Sequence, residues 1–171
     1  MLIQTSIQKI LELFFKYPTK GFTIREIGRI LDISPPTVSS NVSKLTKKEL
    51  LKMEKEKIQY KVYSNIENEN FRELKRIYNL YSLSELKNFL TREIRPKTII
   101  VYGSYSRGED REDSDLDIFI DTQVKKEIDL KKFEGKLVRK IHLIIKEFKK
   151  VPDDLKKNII NGIILYGVIE C

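Results

Sequence analysis

Residues 97–121 decide the fold of the C-terminal half of the chain, and they read KTIIVYGSYSRGEDREDSDLDIFID. The β-branched run at 97–102 predicts a buried strand that ends at Gly103 and Ser104. Apolar and polar residues alternate over 114–121, and this alternation predicts a second strand. A short helix and an acidic turn fill the space between them. This one stretch therefore contains a strand, a turn, a helix and a strand.

Two elements of this stretch suit a phosphate group and a metal ion. A Gly103-Ser104 turn between a strand and a helix presents backbone N–H groups and a hydroxyl to an anion, at the positive end of the helix dipole. Asp115 and Asp117 lie two apart, so on a strand both face one side, with Cα atoms about 7 Å apart. Because carboxylates this close repel each other, a divalent cation is their simplest partner. Asp121 has the same parity but lies about 13 Å from Asp117, too far to share the site.

The composition is that of a folded, soluble chain. Its 171 residues suffice for one large domain or two small ones, and 40% of them are apolar, enough for a packed core. The single cysteine, Cys171, excludes an intrachain disulfide framework and a cysteine-based zinc site. No stretch approaches the roughly 20 apolar residues that span a bilayer, and residues 1–6 lack the features of a secretory signal. We therefore expect a cytoplasmic protein with no membrane partner.

Charge is divided unevenly along the chain. The net charge is +8, and residues 1–65 hold +6 of it, with 12 basic and six acidic residues. The segment 109–121, by contrast, has seven acidic residues and one basic residue. This separation predicts two functional regions, one that binds anions and one that binds cations. The basic surplus favours a nucleic acid or nucleotide partner, with a merely solvated basic surface as the alternative.

The basic half has the pattern of three helices. Apolar residues at helical spacing over 7–14 predict the first helix. Thr23 and Glu26 form a capping-box pattern at the start of the second. Ser34 is expected to cap the third helix, which has prolines in its first turn.

A two-stranded ribbon is predicted after these helices. The alternation in residues 51–53 and 59–63 indicates its strands, and residues 55–57 are expected at its tip. The order helix, helix, turn, helix and ribbon within residues 1–65 resembles the winged helix-turn-helix DNA-binding family, and residues 23–45 are the most recognisable part. In that family the third helix lies in the major groove, and the wing touches the backbone or the minor groove.

The resemblance implies a DNA-binding surface. Short polar side chains on the third helix would approach base edges, and lysines on the helix and the wing would meet phosphates. The residues expected there are Thr37, Ser40, Asn41, Lys44, Lys47, Lys55 and Lys57. The alternative is that the polar face is only solvated and that the module dimerises or docks a partner. Residues 66–95 are apolar at helical spacing and are expected to form a helical connector, which could also pair with a second copy.

Residues 96–171 resemble the minimal nucleotidyltransferase family of the DNA polymerase beta superfamily, because the Gly-Ser and Asp-x-Asp elements occur together. Members of that family move a nucleoside monophosphate from an NTP to an acceptor. The resemblance implies that Gly103 and Ser104 hold the triphosphate and that Arg107 lies near the phosphates or supports the loop. It also implies that Asp115 and Asp117 hold the catalytic metal, with Mg²⁺ expected and Mn²⁺ as the alternative. ATP is the expected NTP.

The sequence departs from that family at one position. The family usually has a third carboxylate on the next strand, where it helps to activate the attacking hydroxyl. That strand is predicted at residues 138–145, and His142 stands where the acid is expected. Imidazole is a poorer Mg²⁺ ligand than oxygen, although it can act as a general base. His142 is therefore a catalytic base, a mark of lost catalysis with retained nucleotide binding, or a structural histidine. The tail, residues 151–167, is expected to form a final helix.

The sequence thus predicts an α+β protein with three parts: a winged helix-turn-helix at 1–65, a helical connector at 66–95 and an α/β nucleotidyltransferase domain with a small mixed sheet at 96–171. The leading hypothesis is metal-dependent transfer of NMP from an NTP to a hydroxyl of a toxin-like protein or of a nucleic acid, tethered to double-stranded DNA. The alternative is a DNA-binding transcriptional regulator whose transferase domain only senses a nucleotide or a partner. A homodimer is plausible on either hypothesis, because helix-turn-helix proteins usually read paired half-sites.

Overall fold

The computed structural model describes residues 5–124 and 126–169. The chain divides into two compact units, Met1–Lys75 and Arg76–Cys171. Cys171 itself, for which we expect no disulfide partner, lies outside the described residues. Among the helices of the described ranges, none has the length and apolar character that crossing a membrane requires.

The first unit has three helices followed by a hairpin, which is the predicted order. Its elements are α1 (Ser6–Lys16), α2 (Ile24–Leu31), α3 (Pro35–Lys47), β1 (Leu51–Glu56) and β2 (Gln59–Ser64). The two strands pair antiparallel, and Phe22 forms a further bridge to Val62. Its buried core draws on every helix and on the hairpin, and includes Ile10, Phe14, Ile27, Val38, Leu45 and Val62.

Hydrogen bonds at the helix starts confirm one predicted cap and correct another. The Thr23 hydroxyl accepts from the Glu26 N–H at 3.2 Å, and the Glu26 carboxylate accepts from the Thr23 N–H at 2.7 Å, which completes the capping box. That backbone N–H lowers the pKa of Glu26. Ser34 occupies the N-cap position of α3 but makes no capping bond, because its hydroxyl pairs with that of Thr37 at 2.8 Å.

The hairpin is longer than predicted, and its tip lies elsewhere. Both strands have six residues, and Glu56 pairs with Gln59, so only Lys57 and Ile58 form the loop. The prediction of a tip at 55–57 is therefore wrong, and Lys55 lies within β1. A two-residue loop usually needs a positive φ, and Lys57 has φ 51°. The loop residues, Lys57 and Ile58, are not the Asn-Gly or Asp-Gly pair that is typical of such turns.

The second unit is built on a four-stranded mixed sheet, as predicted. Helix α4 (Glu69–Ser82) contains the division between the two units. The elements that follow are α5 (Ser84–Ile94), β3 (Thr98–Tyr102), α6 (Gly103–Arg107), β4 (Leu116–Asp121), α7 (Lys131–Leu137), β5 (Ile141–Ile145), α8 (Asp153–Ile160) and β6 (Ile163–Gly167). The strand order is β5-β4-β3-β6, in which β4 and β5 are parallel and the other neighbours antiparallel.

Helices cover both faces of this sheet. One face packs against α5 and α7 through a cluster that includes Leu86, Leu90, Ile99, Ile118 and Phe133. The opposite face packs against α8 and a short 3-10 helix at Phe148–Lys150, through Ile100, Phe119, Phe148, Val151 and Ile159. Helix α5, which lies within the predicted connector, thus contributes to the core of the second unit.

The predicted boundaries differ from the structure at three places. Strand β4 begins at Leu116, so Asp115 precedes it instead of lying within it. Strand β5 begins at Ile141, three residues later than predicted. The tail is not one helix, because α8 ends at Ile160 and β6 follows it. Gly162 separates the two where an added Cβ would lie 2.6 Å from the Val101 carbonyl oxygen.

Candidate functional site

Three polar side chains lie in one row across the sheet. Tyr102 at the end of β3 pairs with Asp117 on β4, and Asp117 pairs with His142 on β5. Directly opposed residues on neighbouring strands share a face, so the row lies on one side of the sheet. Burial, and then the negative charge of Asp117, raise the pKa of Tyr102. The row ends where the chain turns into Gly103.

Gly103 is required at this turn for two reasons. Its φ is +73°, in the left-handed region that favours glycine. A Cβ at this position would also lie 2.6 Å from Asp117 Oδ2. The Gly-Ser turn therefore lies against Asp117, the second aspartate of the Asp-x-Asp pair. This proximity is what the sequence predicts if the two elements belong to one site.

Replacing Gly103 by alanine is expected to destabilise the second unit. The positive φ alone costs about 1–2 kcal/mol for an alanine, and the added methyl would displace the Asp117 carboxylate. Urea denaturation measures the free energy of unfolding. The matched control is Gly135→Ala within α7, where no atom lies within 4 Å of the added methyl, and there we expect a gain of about 0.5–1 kcal/mol. Equal changes in the free energy of unfolding for Gly103→Ala and Gly135→Ala would contradict the conclusion that the turn requires glycine at position 103.

Asp115 and Asp121 differ in their surroundings. Asp115 is exposed and immediately precedes β4, which begins with the Leu116 N–H donating to the Lys140 carbonyl at 2.8 Å. Asp121 lies at the far end of β4, where its carboxylate accepts the Phe148 N–H at 3.0 Å. Asp121 therefore binds the backbone at the start of the 3-10 helix. As predicted, it lies apart from Asp117, at the other end of β4.

Asp117 and His142 form a hydrogen-bonded pair. The Asp117 Oδ1 and His142 Nδ1 atoms lie 3.0 Å apart, and the carboxylate side chain is 28% exposed and the imidazole 60%. Because an ionised carboxylate can only accept, Nδ1 donates the hydrogen of this bond, and in the neutral imidazole Nε2 then presents a lone pair. The structure thus places His142, the residue at which the sequence departs from the nucleotidyltransferase pattern, directly beside the Asp117 carboxylate.

The carboxylates suit a divalent cation that shares its ligands with a substrate. Magnesium is typically held by one or two carboxylates together with substrate phosphates and water, and Asp115 and Asp117 can supply such carboxylates. Within residues 5–124 and 126–169, no group of three or more His, Cys, Asp or Glu side chains is arranged to hold a metal ion. A divalent cation held by Asp115 and Asp117 would need its remaining ligands from a bound nucleotide and water.

Arg107 lies at the end of α6 and faces solvent. Its Nε donates to Glu109 Oε2 at 2.7 Å, and the two side chains are about half exposed. Such exposed ion pairs contribute about 0–1 kcal/mol, so a phosphate could displace Glu109 at little cost. Ser104 follows Gly103 in the first turn of α6 and is half-buried.

A buried polar network beneath these loops has no counterpart in the sequence predictions. Asp110 and Arg139 form an ion pair at 2.9 Å, and their side chains are 1% and 2% exposed. Asn79 donates to Asp110 at 2.7 Å and to the Tyr105 carbonyl at 2.9 Å. Asp110 is one of four acids in the loop 108–114, and Arg139 lies within a strand predicted from the sequence. No local pattern distinguished either residue from a solvated charge.

Tyr105 belongs to the same buried region, and its hydroxyl makes the free energy of unfolding depend on pH in the alkaline range. Burial raises the pKa of Tyr105 to about 12, and its hydroxyl lies 2.9 Å from that of Ser82. In the unfolded chain a tyrosine releases its proton near pH 10. The contribution of Tyr105 is therefore complete below about pH 10, and roughly 2–3 kcal/mol of it should be lost as the pH rises to about 12.

This pH dependence can be isolated by comparing the wild type with Tyr105→Phe. Urea denaturation at several pH values between about 9 and 12 should show the stability difference between the two proteins shrinking as the pH rises. Tyr60→Phe, which removes an exposed hydroxyl, is the control, and its curve should run parallel to that of the wild type. A pH-independent difference for Tyr105→Phe would contradict the expectation.

Most residues of the expected DNA-binding surface are exposed in the first unit. Those with exposed side chains are Thr37, Ser40, Lys44, Lys47, Lys55 and Lys57. Asn41 is the exception, since it is 7% exposed and its amide donates to the Ser6 hydroxyl of α1 at 2.9 Å. The structure therefore removes Asn41 from this surface, because its helical position turns it toward the neighbouring helix.

A cleft lies beside this surface, between α3 and the hairpin. It has a volume of about 430 Å³, and its lining includes Ser39, Ser43 and Lys47 of α3 and Met53 of β1. The sequence prediction did not include Ser39 or Met53. Helix α3 thus presents small hydroxyl side chains and Lys47 along one concave surface.

Comparison with known proteins bears on the second unit. Residues 83–166 match the family model described as a nucleotidyltransferase domain. This match supports a nucleotidyltransferase domain in the C-terminal part of the chain, and the matched residues begin at Leu83, before α5. No curated protein matches the chain.

Proposed function

We propose that this protein transfers a nucleoside monophosphate from an NTP to a hydroxyl group in a metal-dependent reaction. The observation that carries the proposal is the contact between the Gly103 turn and Asp117, within a segment that matches the nucleotidyltransferase domain. An anion-binding turn against a carboxylate is unfavourable for a phosphate unless a cation lies between the two. The arrangement therefore suits a triphosphate and a divalent ion together.

The nucleotide would be held by the start of α6. Gly103 allows the phosphates to approach the backbone closely, and Ser104 offers a hydroxyl and an N–H group. Arg107 would exchange its exposed pair with Glu109 for a phosphate oxygen. ATP is the expected NTP. Asp115 and Asp117 would hold Mg²⁺ or Mn²⁺, an ion that polarises the α-phosphate and offsets charge on the leaving pyrophosphate.

In the proposed reaction, the oxygen of the acceptor hydroxyl forms a new bond to the α-phosphorus. The bond from that phosphorus to the oxygen bridging the α- and β-phosphates breaks, and pyrophosphate leaves. The acceptor proton passes to Nε2 of His142, whose ring Asp117 orients through Nδ1. The acceptor would be a hydroxyl of a protein, such as a toxin-like partner, or of a nucleic acid.

An NTP labelled at the α-phosphate tests this proposal. The protein is incubated with each labelled NTP, with Mg²⁺ or Mn²⁺, and with cell extract as a source of acceptors. Label in a macromolecule and release of pyrophosphate are expected. A parallel incubation with NTP labelled at the γ-phosphate is the control, because phosphoryl transfer would move that label instead. Labelling from the γ-position alone would overturn the proposal.

A second function, DNA binding by the first unit, is favoured by its charge and its exposed lysines. Residues 1–65 carry +6, and Lys44 and Lys47 of α3 and Lys55 and Lys57 of the hairpin are exposed. We propose that this unit is a winged helix-turn-helix that binds double-stranded DNA, with Thr37 and Ser40 near the bases and the lysines at phosphates. It would tether the transferase to DNA.

Salt dependence tests the DNA-binding proposal. In a gel shift with genomic fragments, affinity should fall about 10- to 1000-fold between 50 and 200 mM salt if several phosphates are contacted. Lys44→Gln with Lys47→Gln should weaken binding and reduce this salt dependence, and Lys9→Gln on α1 serves as the control substitution. Affinity that does not change with salt would contradict phosphate contacts. The size of the complex on DNA would also report whether a homodimer binds.

The rival proposal is a transcriptional regulator whose transferase domain only senses a nucleotide or a partner. His142 in place of the expected carboxylate is the observation that favours it. Equilibrium binding of NTP without any transfer of label, under conditions that include Mn²⁺ and cell extract, would support the sensor. Robust transfer would contradict it. A DNA-binding transferase remains compatible with a regulatory role.

A further inference from the structure

The proposed site depends on three separate segments of the second unit. Gly103 and Ser104 begin α6, Asp115 and Asp117 follow the acidic loop 108–114, and His142 follows the turn at 138–140. Loops of this kind are more mobile than the strands they join, whereas transfer chemistry requires reacting groups to be held closely. Transfer therefore requires contacts that join the three segments to one another.

Asp110 joins the acidic loop to the other two segments. Its Oδ2 accepts from Nε and Nη2 of Arg139 at 3.1 and 2.9 Å, which ties the loop to the residues before β5. Its Oδ1 accepts from the Asn79 amide at 2.7 Å. The same amide nitrogen donates to the carbonyl of Tyr105 in α6 at 2.9 Å. One carboxylate thus links the segments that carry the phosphate turn, the aspartate pair and His142.

Arg139 in turn holds the turn that leads to His142. Its Nη1 donates to the Val138 carbonyl at 2.8 Å. Val138 has φ 56° and ψ 37°, a left-handed conformation that is rare for a β-branched residue and persists only where its surroundings enforce it. Glu134 completes the turn by accepting the Ile141 N–H at 2.9 Å.

Stability alone does not account for a pair in this position. Removing two charges from water costs several kcal/mol for each ion, and replacement of such a pair by apolar residues of similar volume is often neutral or stabilising. A buried pair can instead select one conformation among several of similar energy. Here the pair lies where three functional segments meet.

We infer that Asp110 and Arg139 are positioning residues for nucleotidyl transfer, which fix the Asp117–His142 pair relative to the bound triphosphate. The inference rests on the proposed function. Neither side chain contacts the substrate, so both act through the loops that they join. Binding of the NTP should depend less on the pair, because α6 keeps its separate contacts from Asn79 to the Tyr105 carbonyl and from Ser82 to the Tyr105 hydroxyl.

The test is the double variant Asp110→Leu/Arg139→Met, in which apolar side chains replace the whole pair. We expect its thermal stability to stay near that of the wild type, kcat for label transfer to fall about 10- to 100-fold, and KM for the NTP to change by less than about threefold. Glu85→Gln/Lys136→Met removes the exposed pair between α5 and α7 and serves as the matched control, with kcat unchanged. Wild-type kcat in Asp110→Leu/Arg139→Met would overturn the inference.

A readout independent of activity comes from the single histidine of the chain, His142. Its ring resonances in NMR spectra report the bond to Asp117, and at fixed pH they should shift or broaden in Asp110→Leu/Arg139→Met but not in the control. If the wild type transfers no label, the proposed function fails, and these resonances still decide whether the pair positions His142. Unchanged resonances would overturn the positioning role. Should the double variant not fold, Arg139→Lys, which keeps the charge but not the planar two-nitrogen contact, takes its place with the same expected outcomes.

Discussion

Replacing both Asp115 and Asp117 by alanine should lower label transfer from the NTP about a thousandfold or more. Loss of one stabilising group in a catalytic site typically costs 10²- to 10³-fold, and this double variant removes every carboxylate that we assign to the metal. A thousandfold loss corresponds to about 4 kcal/mol of transition-state stabilisation. The measurement is the initial rate of label transfer at saturating NTP and metal ion.

The matched control for this experiment removes two other neighbouring acids. Asp153 and Asp154 are exposed in the first turn of α8, so Asp153→Ala/Asp154→Ala changes the net charge by the same amount outside the site. Transfer by this control should stay within about twofold of the wild type. A measurement of metal binding shows whether a loss of label transfer comes from loss of the metal ion. Asp115→Ala/Asp117→Ala should no longer bind Mn²⁺ in the presence of NTP. Unchanged transfer would remove both aspartates from the mechanism.

The sequence predicts the parts of this site that local patterns encode. Alternation and β-branched runs indicate β3 and β4, and the Gly-Ser and Asp-x-Asp elements indicate which ends of those strands meet. The contact between Gly103 and Asp117 follows from the antiparallel pairing of two strands that are neighbours in sequence. The position of His142 is instead predicted by the nucleotidyltransferase resemblance, and the parallel pairing of β4 with β5 places it beside Asp117.

The parts that the sequence does not predict depend on tertiary contacts. Asp110 and Arg139 are buried only because distant segments meet over them, and neither position differs in its local pattern from a solvated charge. Asn41 is the opposite case. Its position on α3 predicts an exposed side chain, but contact with α1 buries it. The strand β6 was predicted as helix because its apolar residues are compatible with either period, and only pairing with β3 decides between them.

Replacing His142 by alanine should lower kcat for transfer about 100-fold or more, with NTP affinity retained. General bases typically contribute 10²- to 10⁴-fold, and in the proposed reaction Asp117 orients the His142 imidazole, through the contact at Nδ1, toward the acceptor hydroxyl. His142 is mostly exposed, so its loss should alter the free energy of unfolding little. Equilibrium binding of a non-hydrolysable NTP, together with single-turnover transfer, separates affinity from chemistry.

The variant His142→Asp decides between an active enzyme and a degenerate sensor. This substitution restores the carboxylate that the nucleotidyltransferase resemblance implies, next to Asp117 in the register of β4 and β5. If the wild type is active through imidazole, His142→Asp should retain transfer in Mg²⁺, whereas His142→Ala should not. If catalysis has been lost, the wild type should bind NTP without turnover and His142→Asp should gain transfer. Equal transfer by the wild type, His142→Ala and His142→Asp would mean that the position takes no part in the reaction. In that case the proton of the attacking hydroxyl would leave to water.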